Sequence, residues 1–363
     1  MRVGIVGLPQ VGKTTIFNLL TRGDVSTSSW GAGHGEAHIG VAQVPDPHLE
    51  QLATIFKPER ITYASVEYLD LPGLAPGEHV RDMSGYLTSL KNIDALLHIV
   101  RAFESESVPH TEGSVDPRRD IDVFELEMIL SDLGVVEKRL ERLSRDLKKV
   151  RSAELELENS VLGRFKAALE SEQPLRGLEL TSEEEKRVKG FTFLSAKPLL
   201  LVLNLGDRDA PKIPRIVQEY GLEAHAARPR MGITAVCGKI EAEIASLPVQ
   251  DARLFMEDLG LSASGLDRII HESYSLLGLI SFYTGGEPEV RAWTIPRGSN
   301  AQQAAGAIHS DMEKGFIKAE VVGFQNLMKL GSFQAAKAKG VLRLEGKDYI
   351  VQEDDVILFR FNV

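Results

Sequence analysis

Apolar and polar positions follow a period that changes several times along this chain. Largely continuous apolar runs occupy residues 2–6, 66–71, 95–100 and 198–204, and polar or amphipathic segments separate them. A short apolar run without alternation is typical of a strand buried on both faces, as in a parallel sheet covered by helices. We therefore predict an α/β fold with a mostly parallel sheet.

The hydrophobic spacing changes to three and four residues between the third and fourth of these runs. Leucine, valine and phenylalanine keep that spacing from Phe124 to Phe165, with charged residues between them. The pattern predicts a long amphipathic helix as the first arm of a helical coiled-coil hairpin. A capping box at Thr181 and Glu184 predicts that the return arm begins there and runs to about Leu194.

Three domains follow from the order of these patterns. An α/β domain is predicted from residues 1–122 and 196–278, an inserted helical coiled-coil domain from residues 123–195, and a small β-rich domain from residues 279–363.

Other elements are predicted by local composition. Residues 26–40 are rich in serine, glycine and histidine without periodicity, which indicates a long loop. In the C-terminal domain we predict strands at residues 290–295, 348–351 and 356–361, and a helix at residues 301–313.

Composition narrows the class of protein. The chain has 363 residues, a formal net charge of −10 and one cysteine, Cys237, which excludes an intramolecular disulfide framework and fits a reducing cytoplasm. We see no signal-peptide pattern and no apolar run near the roughly 18 residues of a membrane span, so we expect a cytoplasmic protein with no membrane partner. The negative charge restricts any nucleic-acid binding to local basic patches.

The first apolar run leads directly into Gly-x-x-x-x-Gly-Lys-Thr at residues 7–14, and a predicted helix follows. This is a P-loop in the strand–loop–helix context that its mechanism requires. The loop N–H groups and the lysine bind phosphate oxygens, and the threonine hydroxyl reaches Mg²⁺, so we expect a bound nucleoside triphosphate. The predicted nucleotide contacts are Pro9, Gln10, Val11, Gly12, Lys13, Thr14 and Thr15, with Lys13 also catalytic and Thr14 also a magnesium ligand.

The second run ends in Asp70-Leu71-Pro72-Gly73. The carboxyl ends of parallel strands are where open α/β sheets bind ligands, so Asp70 is predicted to lie beside the P-loop. We expect Asp70 to complete the Mg²⁺ site with Thr14, and the Gly73 N–H to contact the γ-phosphate. Leu74 takes the place where Ras-type switches have the glutamine that orients water, so another polar group must do this.

The fourth run ends in Asn204-Leu205-Gly206-Asp207, the position of a base-recognition motif. GTPases use Asn-Lys-x-Asp, whose aspartate binds guanine. Here Leu205 replaces the lysine and Asp207 is retained, which leaves ATP and GTP both open. Asn204, Leu205 and Asp207 are the predicted base contacts. Residues 195–197 resemble a further GTPase signature, but they precede this strand, whereas that signature should follow the next strand. Residues 235–239 do follow the next strand and are the better counterpart.

The polar face of the predicted first helical arm is basic. It is either a solvated helix face or a patch for RNA or an acidic protein. Its residues are Lys138, Arg139, Arg142, Arg145, Lys148, Lys149 and Arg151.

Together these motifs resemble the YchF family of Obg-like ATPases, in the translation-factor class of P-loop proteins. The similar segments are residues 7–15, 44–47, 70–74, 290–296 and 345–351, so the resemblance spans nearly the whole chain. It implies a G domain, an inserted coiled-coil domain and a C-terminal TGS domain. It also implies ATP in preference to GTP, and association with the ribosome or ribosomal RNA through the helical and TGS domains.

The resemblance also identifies His110 as a catalytic candidate, since it matches the family histidine proposed to replace the missing glutamine. His110 follows the third apolar run, on the sheet edge of Asp70. A neutral imidazole could hold the water, and an imidazolium could stabilise charge on the equatorial oxygens. His34 and His38, in the predicted first-switch loop, are alternatives.

Three functions are compatible with these motifs. A slow hydrolytic switch would convert Mg²⁺-NTP to NDP and phosphate. A binding module with little or no hydrolysis is favoured by Leu74 and by the missing threonine of the first switch. A P-loop kinase is weakest, because Asp-x-x-Gly and the Asn204 motif belong to switch proteins. We predict an ATPase or GTPase that is a monomer.

Overall fold

The computed structural model describes residues 1–21, 25–30, 37–71, 90–106, 108–150, 152–258 and 264–362. The chain divides into two compact units: unit 1 comprises Met1–Gly40 and Glu67–Ile269, and unit 2 comprises Val41–Val66 and Ile270–Val363. Residues 41–66, which lie between the P-loop and Asp70 in the sequence, are therefore grouped with the C-terminal residues. The domain boundaries given above stay predictions.

Strands and helices alternate through most of the chain. The strands are β1 (Arg2–Val6), β2 (Val25–Trp30), β3 (Ala37–Gln43), β4 (Arg60–Thr62), β5 (Ser65–Asp70), β6 (Ala95–Ala102), β7 (Leu199–Leu205), β8 (Met231–Val236), β9 (Leu279–Gly285), β10 (Glu289–Pro296), β11 (Phe316–Gly323), β12 (Arg343–Glu345) and β13 (Asp355–Phe361). The helices are α1 (Lys13–Leu20), α2 (Pro47–Phe56), α3 (Pro117–Lys149), α4 (Ala153–Glu170), α5 (Ser182–Val188), α6 (Ile216–Glu219), α7 (Glu223–Ala226), α8 (Gly238–Ser246), α9 (Val249–Asp258), α10 (Gly265–Leu276), α11 (Ala301–Ile308), α12 (Ser310–Lys314), α13 (Phe324–Leu330) and α14 (Phe333–Ala338).

Within the described residues, seven strands form one sheet in the order β2-β3-β5-β1-β6-β7-β8. β1 pairs in parallel with β5 and β6, and the parallel order continues through β7 and β8. Every residue of β6 and of β7 is buried, as expected for inner strands of a parallel sheet. The pairing of Ile5 with Asp70 and of Val6 with His98 aligns the ends of β1 and β5 with the middle of β6 at the edge where the P-loop begins. The predicted α/β fold is confirmed.

The serine-rich segment is more ordered than predicted. β2 and β3 form an antiparallel pair, with Ser26 opposite Ile39. The prediction of a loop is therefore wrong for residues 26–30 and 37–40, because antiparallel pairing can stabilise a polar strand at a sheet edge without apolar periodicity. Residues 31–36, which include His34, lie outside the described residues.

The helical insertion is a hairpin whose arms differ from the prediction. α3 contains 33 residues and α4 contains 18, and they pack against each other. The chain therefore reverses between Lys149 and Ala153, and Phe165 lies on the return arm. The predicted capping box is present, but it begins α5, a helix of 7 residues. The reversal was missed because both arms keep the same apolar spacing toward a shared core.

A buried carboxylate joins the hairpin to the segment that leads into β7. Asp132 on α3 accepts hydrogen bonds from Leu194 N at 2.9 Å, from Ser195 N at 2.7 Å and from Ser195 Oγ at 2.7 Å. Lys197 Nζ donates to the carbonyl oxygens of Lys91 and Ile93. The Ser195-Ala196-Lys197 segment thus contacts α3 and the turn before β6.

Unit 2 contains the second sheet, in the order β12-β11-β13-β9-β10-β4 among the described strands. The predicted strands at residues 290–295 and 356–361 are confirmed as β10 and β13. Residues 348–351 are instead a turn with one bridge, between Asn300 and Ile350. The predicted helix at residues 301–313 is two helices, α11 and α12, because His309 is extended and caps the second.

Across the described residues, no helix combines the length and the apolar character needed to span a bilayer.

Candidate functional site

The P-loop adopts a backbone that depends on its glycines. Gly7 has φ 142° and Gly12 has φ 98°, both in the region that side chains with a Cβ rarely adopt. A Cβ on Gly12 would lie 2.5 Å from Asn204 Nδ2. Gln10 is the third residue of the loop with a positive φ, at 62°. It is exposed at the loop tip, between half-buried Pro9 and buried Val11. The loop therefore presents its backbone to ligand without side-chain obstruction.

Lys13 is the cation at the start of α1. Its side chain turns back over the loop, where Nζ donates to the carbonyl oxygens of Gly7 at 3.0 Å and of Leu8 at 2.7 Å. Burial lowers the pKa of Lys13 to about 8, against the opposing effect of the Asp70 carboxylate. The ammonium group is held in position before any phosphate arrives, which favours binding of a phosphate anion.

Thr14 and Asp70 meet across the ends of α1 and β5. The Thr14 hydroxyl donates to Asp70 Oδ2 at 2.8 Å. The other carboxylate oxygen, Asp70 Oδ1, is buried and has no hydrogen-bond partner among the residues that the structure describes. Burial raises the pKa of Asp70, although the Thr14 hydrogen bond and the Lys13 charge act in the opposite direction. A buried orphaned carboxylate oxygen beside a hydroxyl fits a hard divalent cation such as Mg²⁺, which takes oxygen ligands. Thr15 is exposed.

Asn204 ties the end of β7 to the P-loop. Its Nδ2 donates to the Val11 carbonyl at 2.9 Å, and its Oδ1 accepts from the Gly238 N–H at 3.1 Å. One buried amide therefore joins the phosphate loop, β7 and the start of α8. The structure brings Asn204 against Val11 and Gly12, which lie more than 190 residues before it in the sequence.

Asp207 is already paired within the protein. Lys239 Nζ lies 2.6 Å from Asp207 Oδ2, and the Cys237 thiol donates to Oδ1 at 3.3 Å. The hydrogen bond from Lys239 holds the pKa of Asp207 below its ordinary value, and burial raises the pKa of the Cys237 thiol to about 11. Leu205 is buried in the core beneath the motif, so its side chain is turned into the protein interior.

His110 is not free in this structure. Its side chain is 4% exposed, and Nε2 lies 3.1 Å from Oδ2 of Asp120 in the first turn of α3. Of the two alternative histidines, His38 is exposed on β3 and His34 lies outside the described residues. Gly73 and Leu74 also lie outside the described residues, so the second switch remains a prediction.

Two buried residues near the site carried no sequence motif. His98, in the middle of β6, is 1% exposed; burial and the nearby Lys13 charge lower its pKa to about 3, so it is neutral at physiological pH. Arg101 near the end of β6 is 2% exposed and donates to the carbonyl oxygens of Phe103 and Val108. The only sequence signal for these two residues was a histidine and an arginine in an otherwise apolar strand. Arg101 fixes the loop before His110.

Known proteins with the same architecture are similar along the full chain. The family model YchF-GTPase_C, described as a protein of unknown function (DUF933), matches residues 279–362, and the model MMR_HSR1, described as 50S ribosome-binding GTPase, matches residues 2–132. Ribosome-binding ATPase YchF of Bacillus subtilis is 40% identical and that of Escherichia coli O157:H7 is 39% identical; 100% of this chain aligns with 100% and 99% of theirs.

More distant relatives agree. Obg-like ATPase 1 of Oryza sativa is 34% identical over 100% of this chain and 92% of its own. The structure of the Schizosaccharomyces pombe YchF GTPase matches with a TM-score of 0.83 at 28% identity, covering 99% of this chain and 97% of that one. Sequence similarity and fold therefore agree over both units, and the chain belongs to the YchF family of Obg-like ATPases.

Proposed function

We propose that this protein is a Mg²⁺-dependent P-loop nucleoside triphosphatase that hydrolyses ATP in preference to GTP and acts as a slow switch on the ribosome. The observation that carries the proposal is the arrangement of Lys13, Thr14 and Asp70 at one sheet edge. There the Lys13 ammonium is held by loop carbonyls, and the Thr14 hydroxyl donates to the buried Asp70 carboxylate, whose other oxygen has no partner within the described part of the chain.

The residues of the site divide the work of binding a triphosphate. Lys13 would exchange its two carbonyl contacts for β- and γ-phosphate oxygens, and the loop N–H groups would bind the remaining oxygens. Thr14 and Asp70 would hold Mg²⁺, which when bound neutralises charge on the phosphates. Asn204 keeps the base-recognition motif in register with the loop, because its amide is bonded to both.

The preference for ATP rests on Asp207. Guanine recognition requires this carboxylate to accept two hydrogen bonds, each from a base N–H, and both of its oxygens already accept from Lys239 and Cys237. The guanine of GTP would have to displace Lys239 from Asp207. The adenine of ATP has no such pair of donors, so ATP can bind while Asp207 keeps its partners. The names of the curated relatives, ribosome-binding ATPases, support the same preference.

His110 is proposed as the group that assists hydrolysis. It lies in the loop between β6 and α3, beyond the carboxyl end of a strand that pairs with β1. An imidazole that approached the γ-phosphate could hold the attacking water or stabilise charge in the transition state.

Association with the ribosome is proposed from the names of the relatives and from exposed basic residues on α3. Lys138, Arg142 and Lys148 are exposed on the first arm of the hairpin, whereas Arg139 is paired with Glu158 at 2.6 Å. Phosphate backbones bind such cations in a salt-dependent manner. The ribosome and ATP are both found in the cytoplasm, where we propose that this protein acts as a monomer.

Phosphate release under multiple turnover tests the proposal. The purified protein is assayed with ATP and with GTP, in Mg²⁺ and in EDTA, with and without ribosomes, and Lys13→Ala sets the background. We expect Mg²⁺-dependent release that is slow with ATP alone and faster with ribosomes. In a parallel nucleotide titration, an affinity for GTP that exceeds the affinity for ATP by about tenfold or more would contradict the base preference.

A nucleotide-binding module with little hydrolysis is the second candidate. It is favoured by His110, whose two ring nitrogens both face protein groups rather than open space. Tight Mg²⁺-ATP binding with phosphate release no greater than that of Lys13→Ala, with or without ribosomes, would establish this candidate in place of the first.

A further inference from the structure

His110 is buried although its neighbours are exposed. Residues 111–114 are all exposed, yet the His110 side chain is 4% exposed and faces Asp120, whose side chain is 3% exposed. A loop imidazole reaches such burial only where the fold provides a place for it. Here that place is the first turn of α3.

Both ring nitrogens of His110 face protein groups. The backbone N–H of Glu112 donates to Nδ1 at 3.1 Å, so in the neutral ring the proton is on Nε2, which lies 3.1 Å from Asp120 Oδ2. In this arrangement neither nitrogen is available to a water molecule or to a phosphate oxygen.

The contact with Asp120 is close but poorly aligned. Neither His110 Nε2 nor Asp120 Oδ2 completes a hydrogen bond with any described residue, although both atoms are buried. The other oxygen, Asp120 Oδ1, accepts from Arg119 Nη2 at 2.7 Å. The Asp120 carboxylate attracts the imidazole and holds it in this position. Because buried polar atoms without a full hydrogen bond are costly, His110 loses little free energy when it leaves.

The loop that carries His110 is fixed at both ends. Arg101 holds the carbonyl oxygen of Val108 at 2.7 Å, and Asp116 caps α3 by accepting from Arg119 N at 3.1 Å. Only the residues between Val108 and Asp116 can therefore move freely. Asp120, in the first turn of α3, is the carboxylate that the imidazole of His110 faces.

We propose that Asp120 is a positioning residue that keeps His110 in a resting place, so that the first turn of α3 controls when His110 can take part in hydrolysis. This inference rests on the catalytic role proposed above for His110. Because α3 is the first arm of the hairpin, a partner that binds the hairpin and shifts α3 would release the histidine.

Single-turnover ATP hydrolysis in the full chain tests the proposal. Asp120→Asn removes the charge that holds His110, and we expect hydrolysis to accelerate by roughly three- to tenfold, the effect of losing one buried polar contact. Asp120→Glu keeps the charge and is expected to remain close to the wild-type rate. Asp116→Asn, at the N-cap of the same helix, removes a carboxylate charge that His110 does not face but keeps a side-chain oxygen that can accept from Arg119 N, so it is expected to leave the rate unchanged. The affinity for ATP should be the same in all three variants.

Two further variants separate the failure of this inference from the failure of the proposed function. His110→Ala and the double variant Asp120→Asn/His110→Ala are expected to be equally slow. A slow His110→Ala with an Asp120→Asn that is no faster than wild type would overturn the role of Asp120 alone. A His110→Ala as fast as wild type would instead remove the proposed role of His110.

Histidine modification in the wild-type protein gives a readout that does not depend on a variant folding. Diethyl pyrocarbonate labelling, read by mass spectrometry, is compared at His110, at exposed His309 and at buried His98. We expect His110 to be protected like His98 without nucleotide, and to become labelled when a non-hydrolysable ATP analogue and ribosomes are both bound. Labelling of His110 as fast as that of His309 in the free protein would overturn the resting position.

Discussion

The phosphate-binding end of the site and the His110 loop are organised in opposite ways. At the phosphate end, Lys13 is held in place by loop carbonyls, and one buried oxygen of Asp70 is unpaired as far as the described residues extend. In the His110 loop, the imidazole is turned onto Asp120 and both its nitrogens face protein groups. The first region is ready for its ligand, whereas the second would have to rearrange for His110 to play its proposed role. The difference places phosphate binding in the fold itself and, under that proposal, makes hydrolysis depend on a conformational change of the His110 loop.

The largest effect is expected from removing the cation of the ready region. Lys13→Ala leaves the β- and γ-phosphate charge uncompensated, and we expect hydrolysis to fall by about 10²–10³-fold, with weaker triphosphate binding. Single-turnover hydrolysis and nucleotide titration measure the two effects. Lys166→Ala, a surface lysine of α4, is the control. A folded Lys13→Ala protein with wild-type affinity and turnover would remove the P-loop assignment.

Changing the histidine of the second region should affect hydrolysis without affecting binding. We expect His110→Ala to slow single-turnover hydrolysis by about 10²-fold, the low end for a general acid–base group, with ATP affinity little changed. His38→Ala, on the exposed part of β3, is the matched control. Equal loss in both variants, or full activity in His110→Ala, would assign the role to another residue and would end the contrast between the two regions.

The pH dependence of binding sharpens the description of the ready region. Burial lowers the pKa of Lys13 to about 8 in the free protein, so the ammonium is present below that pH and is lost as the pH rises through it. ATP affinity should therefore be constant near pH 7 and fall by up to about tenfold per pH unit above pH 8. Lys13→Arg, whose guanidinium stays charged, should flatten the profile. A wild-type affinity that is flat from about pH 7 to pH 9.5 would contradict the lowered pKa of Lys13.

The smallest effect is expected at the base. Lys239→Met frees Asp207 Oδ2 while keeping most of the side-chain length, and the exposed pair contributes little on its own. We expect the affinity for GTP relative to ATP to rise by about threefold, measured by competitive titration. Lys212→Met, which breaks the neighbouring pair with Asp209, should leave the ratio unchanged. An unchanged ratio in Lys239→Met would mean that Asp207 does not set the preference.

Features encoded within a few residues could be predicted from the sequence. The apolar runs placed the buried strands of the α/β sheet, and the glycine spacing placed the P-loop between β1 and α1. The carboxyl-edge rule brought Asp70 next to Thr14, because parallel strands share one direction and their ends meet. These signals are local, and the physics behind them acts within one element and its immediate neighbour.

Other features depend on which distant residues meet, and only the tertiary structure decided them. The reversal between α3 and α4 cannot be detected from the hydrophobic periodicity, because the apolar residues of both arms have the same spacing and pack into one core. The polar strand β2 is stabilised by its partner β3 rather than by its own composition. Asp120 beside His110 and Lys239 beside Asp207 are pairings across loops, whose side chains carry no repeating pattern. The sequence shows that a charged side chain will need a partner if it is buried, but only the packing of the whole chain determines which partner it reaches.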